Sequence, residues 1–188
     1  MSYLINTDQY LINDGKYIII PSKFLSVGDT YKGGTIGYIY QSGDPGYDAN
    51  IQHGLIIGTI DTGVCWDFVS MTLVTGTDLY IGDGSINTYA MTVAKNTNPP
   101  DTYDLQAYQY CFDYTSDIYD DWVFPSYFET RKILENYSIL GVADNVYYSS
   151  SESTVDSAYG VELFEGQITF INVQKNVYGY GVIPIRYF

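Results

Sequence analysis

The stretch DDWVFPSYFETRKILENY, residues 120 to 137, decides how this chain is read. Pro125 keeps Phe124 extended, because the proline ring crowds the residue before it. Ser126 stands three residues ahead of Glu129, the spacing of a capping box in which hydroxyl and carboxylate each take a backbone N–H at the start of a helix. A strand-like entry therefore turns sharply into a helix over 126 to 137. Trp122 and Phe124, on the entry, are expected as core anchors.

Downstream of Gly141 the pattern is all strand. NVYYSSSES (145 to 153), AYGVELFEGQITFIN (158 to 172) and YGVIPIRYF (180 to 188) are rich in β-branched and aromatic residues, and Glu165-Gly166 marks a hairpin turn in the second. Upstream, DTYDLQAYQYCFDYTSD (101 to 117) places Leu105, Tyr108 and Phe112 at helical spacing, with Ala107 and Cys111 on the same broad face. Asp101, after Pro99-Pro100, is the expected cap of this helix. Earlier still, TIGYIY (35 to 40) and HGLIIGTI (53 to 60) read as strands joined by a loop that Gly43, Pro45 and Gly46 punctuate. Residues 1 to 30 hold two short apolar segments around NDG, a hairpin signal, and are expected to form an attachment arm ahead of one domain over 31 to 188.

Composition narrows the classes. Twenty-two Tyr and 18 Gly in 188 residues favour short strands and turns over a helical bundle, so the fold class expected is α+β with a mainly antiparallel sheet. Eight basic against 22 acidic residues give a net charge of −14, which repels phosphate backbones and anionic bilayers and speaks against a nucleic-acid partner. The longest apolar runs are strand-sized, so no membrane insertion is expected. MSYLINTDQY lacks the basic patch and apolar core of a secretory signal, which implies export, if any, by another route. Cys65 and Cys111 are expected as buried thiols, a disulfide being the less favoured alternative.

No catalytic residue emerges. His53 is the sole histidine and is expected as an imidazole satisfied at a strand start. The SSSES run (149 to 153) is expected as a strand whose hydroxyls bond nearby loop backbone. GDPGYDAN, TDLYIGDGS and TSDIYDD present paired carboxylates, the hard oxygen donors that Ca²⁺ takes, with Asp44, Asp48, Asp78 and Asp83 as candidate ligands. Solvated turns are the favoured reading of these loops, and no cofactor is expected. Tyrosine is the suggestive residue type, since its rigid ring and hydroxyl suit both sugar stacking and protein contacts. Tyr103, Tyr110, Tyr114 and Tyr119 cluster with acidic residues between the two expected helices and form the candidate binding surface.

GGTIGYIY, DPGYDANIQHGLIIG, YDDWVFPSYFE, VYYSSSES and VIPIRYF together resemble, in the same order, the domain family typified by the C-terminal domain of Legionella collagen-like adhesins. The family positions matched are Gly33, Gly34, His53, Gly54, Trp122, Pro125, Ser126, Glu129, the serines 149 to 151 and Glu152, most of them structural. Tyr148 stands where the family usually has Trp, Asp120 where it has Ser, Phe124 where it has Leu, and Thr130 where an apolar residue follows the helix Glu. The resemblance implies a C-type-lectin-like fold, akin to that of formylglycine-generating enzymes, with a twisted sheet, two flanking helices and long recognition loops. It implies a non-enzymatic module displayed on a bacteriophage virion, as a receptor-binding or decoration part of a tail fibre, head fibre or capsid. Such a module would dock on other virion proteins through its arm, grip a host surface glycan or protein, and assemble as a homo-oligomer, a trimer on a fibre. The alternative is a bacterial surface carbohydrate-binding adhesin. A formylglycine-generating type of oxidase ranks third, because its copper site needs neighbouring thiolates whereas Cys65 and Cys111 fall in separate elements.

Overall fold

The computed structural model describes residues 3–4, 10–13, 16–19, 24–67, 73–74, 76–97 and 105–188. They form an α+β protein with antiparallel sheets and four helices. Near the N-terminus, β1 (Tyr3–Leu4), β2 (Tyr10–Asn13) and β3 (Lys16–Ile19) pair as an antiparallel meander, with Asn13 opposite Lys16 where NDG signals a turn. The four-stranded sheet runs in the order β10 (Ile185–Tyr187), β6 (Gly54–Ile57), β5 (Gly34–Ile39), β4 (Thr30–Tyr31). Its hydrogen bonds reach back to the Gly28 N–H, which donates to the Ile36 carbonyl. The three-stranded sheet runs β7 (Asn145–Glu152), β8 (Ser157–Phe164), β9 (Gln167–Gln174). Glu165 and Gly166, both at positive φ, make the two-residue turn between β8 and β9.

Strands β5 to β9 and the start of the capped helix lie where the sequence places them, and other elements differ. The helix expected over 126 to 137 is two: α3 (Tyr127–Leu134) and, after Glu135-Asn136, the single turn α4 (Tyr137–Leu140), which Gly141 ends in the left-handed conformation. The strand expected over 180 to 188 shrinks to β10, since Pro184 has no N–H to give a ladder; Val182 makes only an isolated bridge to Asp61.

The larger departure is α1 (Asp83–Thr97), fifteen helical residues starting inside an expected acidic loop. Its periodicity is inverted. Gly84, Asn87, Thr88 and Met91 are buried, while Ile86, Tyr89 and Val93 face solvent. Polar bonds do the packing: Asn87 Nδ2 donates to Ser150 Oγ at 2.8 Å, and the Phe124 N–H donates to Thr88 Oγ1 at 3.0 Å. Gly84 is required by close approach, as a Cβ there would lie 2.4 Å from Glu129 Oε2. The helix expected over 101 to 117 is the shorter α2 (Gln106–Asp113), with Ala107, Tyr108 and Cys111 buried. Asp101, its expected cap, lies outside the described residues, and Phe112 is 45 % exposed rather than inward.

Trp122 and Phe124 are buried, Trp122 against Ile36 and Ile56 and Phe124 beside Trp66. The capping box forms in full: Ser126 Oγ accepts from the Glu129 N–H, and the Ser126 N–H donates to Glu129 Oε2 at 2.8 Å. Glu129 is itself fully buried and takes three more bonds, from Gly82 N (2.8 Å), Gly84 N (3.1 Å) and Tyr187 Oη (2.7 Å). Burial pushes its carboxyl upward, and these donors oppose that shift. A second buried charge is paired. Lys175 Nζ bonds the Glu152 carboxylate and the Val155 carbonyl, and lies 4.5 Å from the centre of the Trp66 ring.

Two stability measurements check this core. Glu129→Ala strands buried donors from three segments and is expected to lower the unfolding free energy in urea by about 3 kcal/mol or more. Lys175→Met leaves Glu152 buried without its cation and is expected to cost about 3–5 kcal/mol, whereas Lys175→Met with Glu152→Leu recovers part of that loss, the Val74 N–H losing its acceptor in the double variant. A double variant no better than the single one contradicts the pairing.

Candidate functional site

Helices α1 and α2 pack side by side because their polar side chains reach across. Thr92 Oγ1 and the Tyr108 hydroxyl share a bond of 2.7 Å, Lys95 Nζ donates to Gln109 Oε1, and the ammonium sits 5.6 Å from the Tyr108 ring centre. Against α2 and the chain that follows it opens a cleft of about 540 Å³. Lys95, Gln106, Gln109, Tyr110, Asp113 and Tyr114 line it, together with Val64 and Thr115. That volume is within the range of small-ligand sites. A second hollow between Asp44, Tyr80, Phe128 and Lys132 holds about 180 Å³, below that range.

The two tyrosines are fixed by their hydroxyls. Tyr110 Oη donates to the Thr59 carbonyl at 2.9 Å, and Tyr114 Oη accepts from the Thr59 N–H at 3.0 Å. Burial, with Asp61 nearby, pushes the Tyr110 phenol up to about 12. Tyr114 meets Trp122 edge to face at 4.8 Å, so the buried anchor of the core also braces the cleft wall. With their polar ends turned to Thr59, these rings present carbon to the cleft.

A row of polar groups crosses the same space. Lys95 donates to Gln109, and Gln109 Nε2 donates to Asp113 Oδ2 at 2.7 Å. Gln106 is held by its own bonds: its Oε1 accepts from the Cys65 N–H, and its Nε2 donates to the Tyr178 hydroxyl. The row carries one positive and one negative charge. Lys95, Gln106 and Gln109 are residues the sequence reading passed over, since α1 was not expected and amides carry no pattern of their own.

Of the four tyrosines read as a binding surface, the structure brings Tyr110 and Tyr114 together. Tyr119 lies elsewhere, its ring 4.0 Å beneath the Arg186 guanidinium, which also forks onto Asp121 through Nε (2.7 Å) and Nη2 (2.8 Å). Arg186 holds the Asp121 carboxyl below its ordinary value. Tyr103 lies outside the described residues.

The four candidate calcium ligands each serve a local turn. Asp44 Oδ2 accepts from the Gln41 N–H and the Tyr38 hydroxyl, Asp48 from the Asn50 N–H, Asp78 from its neighbour Leu79, and Asp83 from the Tyr80 N–H. Among the described residues no three His, Cys, Asp or Glu side chains group as a metal site. His53 Nδ1 lies 3.1 Å from the Phe188 carbonyl. Ser149 and Ser151 donate to the Tyr159 and Asp78 carbonyls, and the Ser150 N–H donates to the Pro125 carbonyl. No helix of the described residues is long and apolar enough to cross a membrane.

Neither a protein-family model nor a curated protein matches the sequence. Among solved structures, the fold is similar to that of a fimbrial protein from Bacteroides ovatus, with a TM-score of 0.52 and 16 % identity. The match covers 96 % of this chain and 48 % of the fimbrial one, so the chain spans about half the length of that relative. At this identity the likeness is one of fold.

Cys65 and Cys111 are both buried and not joined in a disulfide, and burial raises the Cys111 thiol well above its ordinary value. Iodoacetamide at pH 8 is therefore expected to leave Cys111 unmodified in the folded protein and to alkylate both thiols in guanidinium, read by intact mass. Rapid native labelling of Cys111 contradicts its placement.

Proposed function

We propose that this chain is a non-enzymatic adhesion module of a bacterial surface appendage, which holds its ligand in the cleft beneath α2. The observation that carries the reading is the cleft itself: two hydroxyl-anchored tyrosine rings facing a row of charged and amide side chains. Such an arrangement of rings and polar side chains suits gripping a ligand. The fold likeness to a fimbrial protein supports an appendage on the bacterial surface over a place in a virion, which the family resemblance suggested. We read the body as C-type-lectin-like, with residues 1 to 30 as the segment that attaches it to its assembly. Display in many copies would raise the effective concentration of a weak single site.

Thr115 is exposed and lines the cleft, so Thr115→Trp fills the space without touching the core. Labelled protein is expected to attach saturably to host cells, and Thr115→Trp to lower that attachment at least about tenfold with an unchanged urea midpoint. Attachment that persists undiminished in Thr115→Trp moves the site elsewhere on the surface. Absence of any attachment by the parent protein overturns the adhesion reading.

A further inference from the structure

We infer that the cleft takes a neutral pyranose unit of a glycan without a metal ion, with one face of the sugar on Tyr110 and Tyr114 and neighbouring hydroxyls on Gln109 and Asp113. The inference rests on the adhesion reading and names the ligand of the same site. Its first support is the division of labour among the lining groups. Both phenol hydroxyls are turned to Thr59 and engaged there, so what the tyrosines chiefly offer the cleft is ring carbon. A partner with an apolar face suits them best. A pyranose has one, made by its axial C–H groups, and such faces pack on aromatic rings.

The second support is what faces those rings. Gln109 donates through Nε2 to Asp113 and accepts at Oε1 from Lys95, which uses one of two amide hydrogens and one of two lone pairs. Asp113 is exposed and accepts that single bond among the described residues. Donor and acceptor thus sit next to each other one helical turn apart, at positions i and i+4. A pair of adjacent hydroxyls needs this combination: one oxygen accepts from the amide while the other hydroxyl donates to the carboxylate. A flat hydrocarbon would leave these groups unpaired, and a peptide backbone carries no adjacent pair of hydroxyls.

Charge selects the class further. Lys95 and Asp113 cancel within the cleft, while the whole chain carries −14. An acidic sugar meets a repulsive field, and a cationic ligand finds one carboxylate already shared with an amide. Calcium is not required, because the carboxylates that could have bound it cap turns away from this row.

Saturation-transfer NMR on the intact chain, with methyl glycosides of glucose, galactose, mannose and N-acetylglucosamine and with glucuronate as the charged control, tests the inference. At least one neutral glycoside is expected to receive saturation, strongest on the C–H protons of one ring face, unchanged by EDTA and absent for glucuronate. Asp113→Ala and Gln109→Ala, at surface positions, are each expected to weaken that binding about tenfold, or 1.4 kcal/mol, with native near-ultraviolet circular dichroism. Binding lost in EDTA, preference for glucuronate, or binding unaffected by both variants overturns the inference. Silence of every glycoside also overturns it; if Thr115→Trp still abolishes cell attachment, the adhesion reading stands and the ligand is of another class. Glycoside binding without cell attachment leaves the sugar site standing and removes the adhesion reading.

Discussion

The carboxylate of Glu129 receives hydrogen bonds from four groups in three separate segments of the chain: the N–H groups of Gly82, Gly84 and Ser126 and the hydroxyl of Tyr187. A buried anion with no cation bonded to it is costly unless dipoles replace the lost water. Here two helices supply them. Ser126 is the cap of α3 and Gly84 lies in the first turn of α1, so the positive ends of both helix dipoles converge on one charge. That convergence sets where α1 begins, and α1 carries Thr92 and Lys95 to α2. The cleft is therefore built outward from a capping box some distance away.

How much of this the sequence discloses depends on whether the determining contacts are local. Ser126 and Glu129 are three residues apart, and their pattern names both the helix and its start. The Glu165-Gly166 turn is equally local. Helix α1 is different because its buried face is Gly84, Asn87, Thr88 and Met91, and its apolar residues point outward. A hydrophobic period cannot report a face packed through amide and hydroxyl bonds to Ser150 and Phe124. Without α1 in view, Lys95, the positive end of the polar row in the cleft, stays hidden. Tyr110 and Tyr114 were visible as residue type, but their common anchor, Thr59, lies 51 and 55 residues away in sequence. Tyr119 has the same composition signal and a different fate, because Arg186 comes from the far end of the chain to cover it.

The acidic loops show the same limit from the other side. Paired carboxylates next to glycine suit a hard cation and suit a tight turn equally, since both need oxygen acceptors close to the backbone. In Asp44, Asp48 and Asp83 the acceptor goes to an N–H two or three residues away. These bonds are local, of the kind that Asp side chains make in turns. Much of the −14 charge is thus carried on turns and surface helices, where water screens it, while Glu152 is matched by Lys175 in the interior.

The cleft stands out against this surface because its side chains are already held before anything enters. Each tyrosine is pinned at its hydroxyl, Tyr114 is braced by Trp122, and Lys95, Gln109 and Asp113 order one another in a line. Long side chains that lose rotamer freedom on binding weaken it, each by about 0.5–1.5 kcal/mol. A site whose lysine and glutamine are ordered in advance has less of that entropy left to lose. The same bonds that position α1 against α2 for stability also hold the cleft side chains, so binding there, as proposed, would depend on the packing of the two helices.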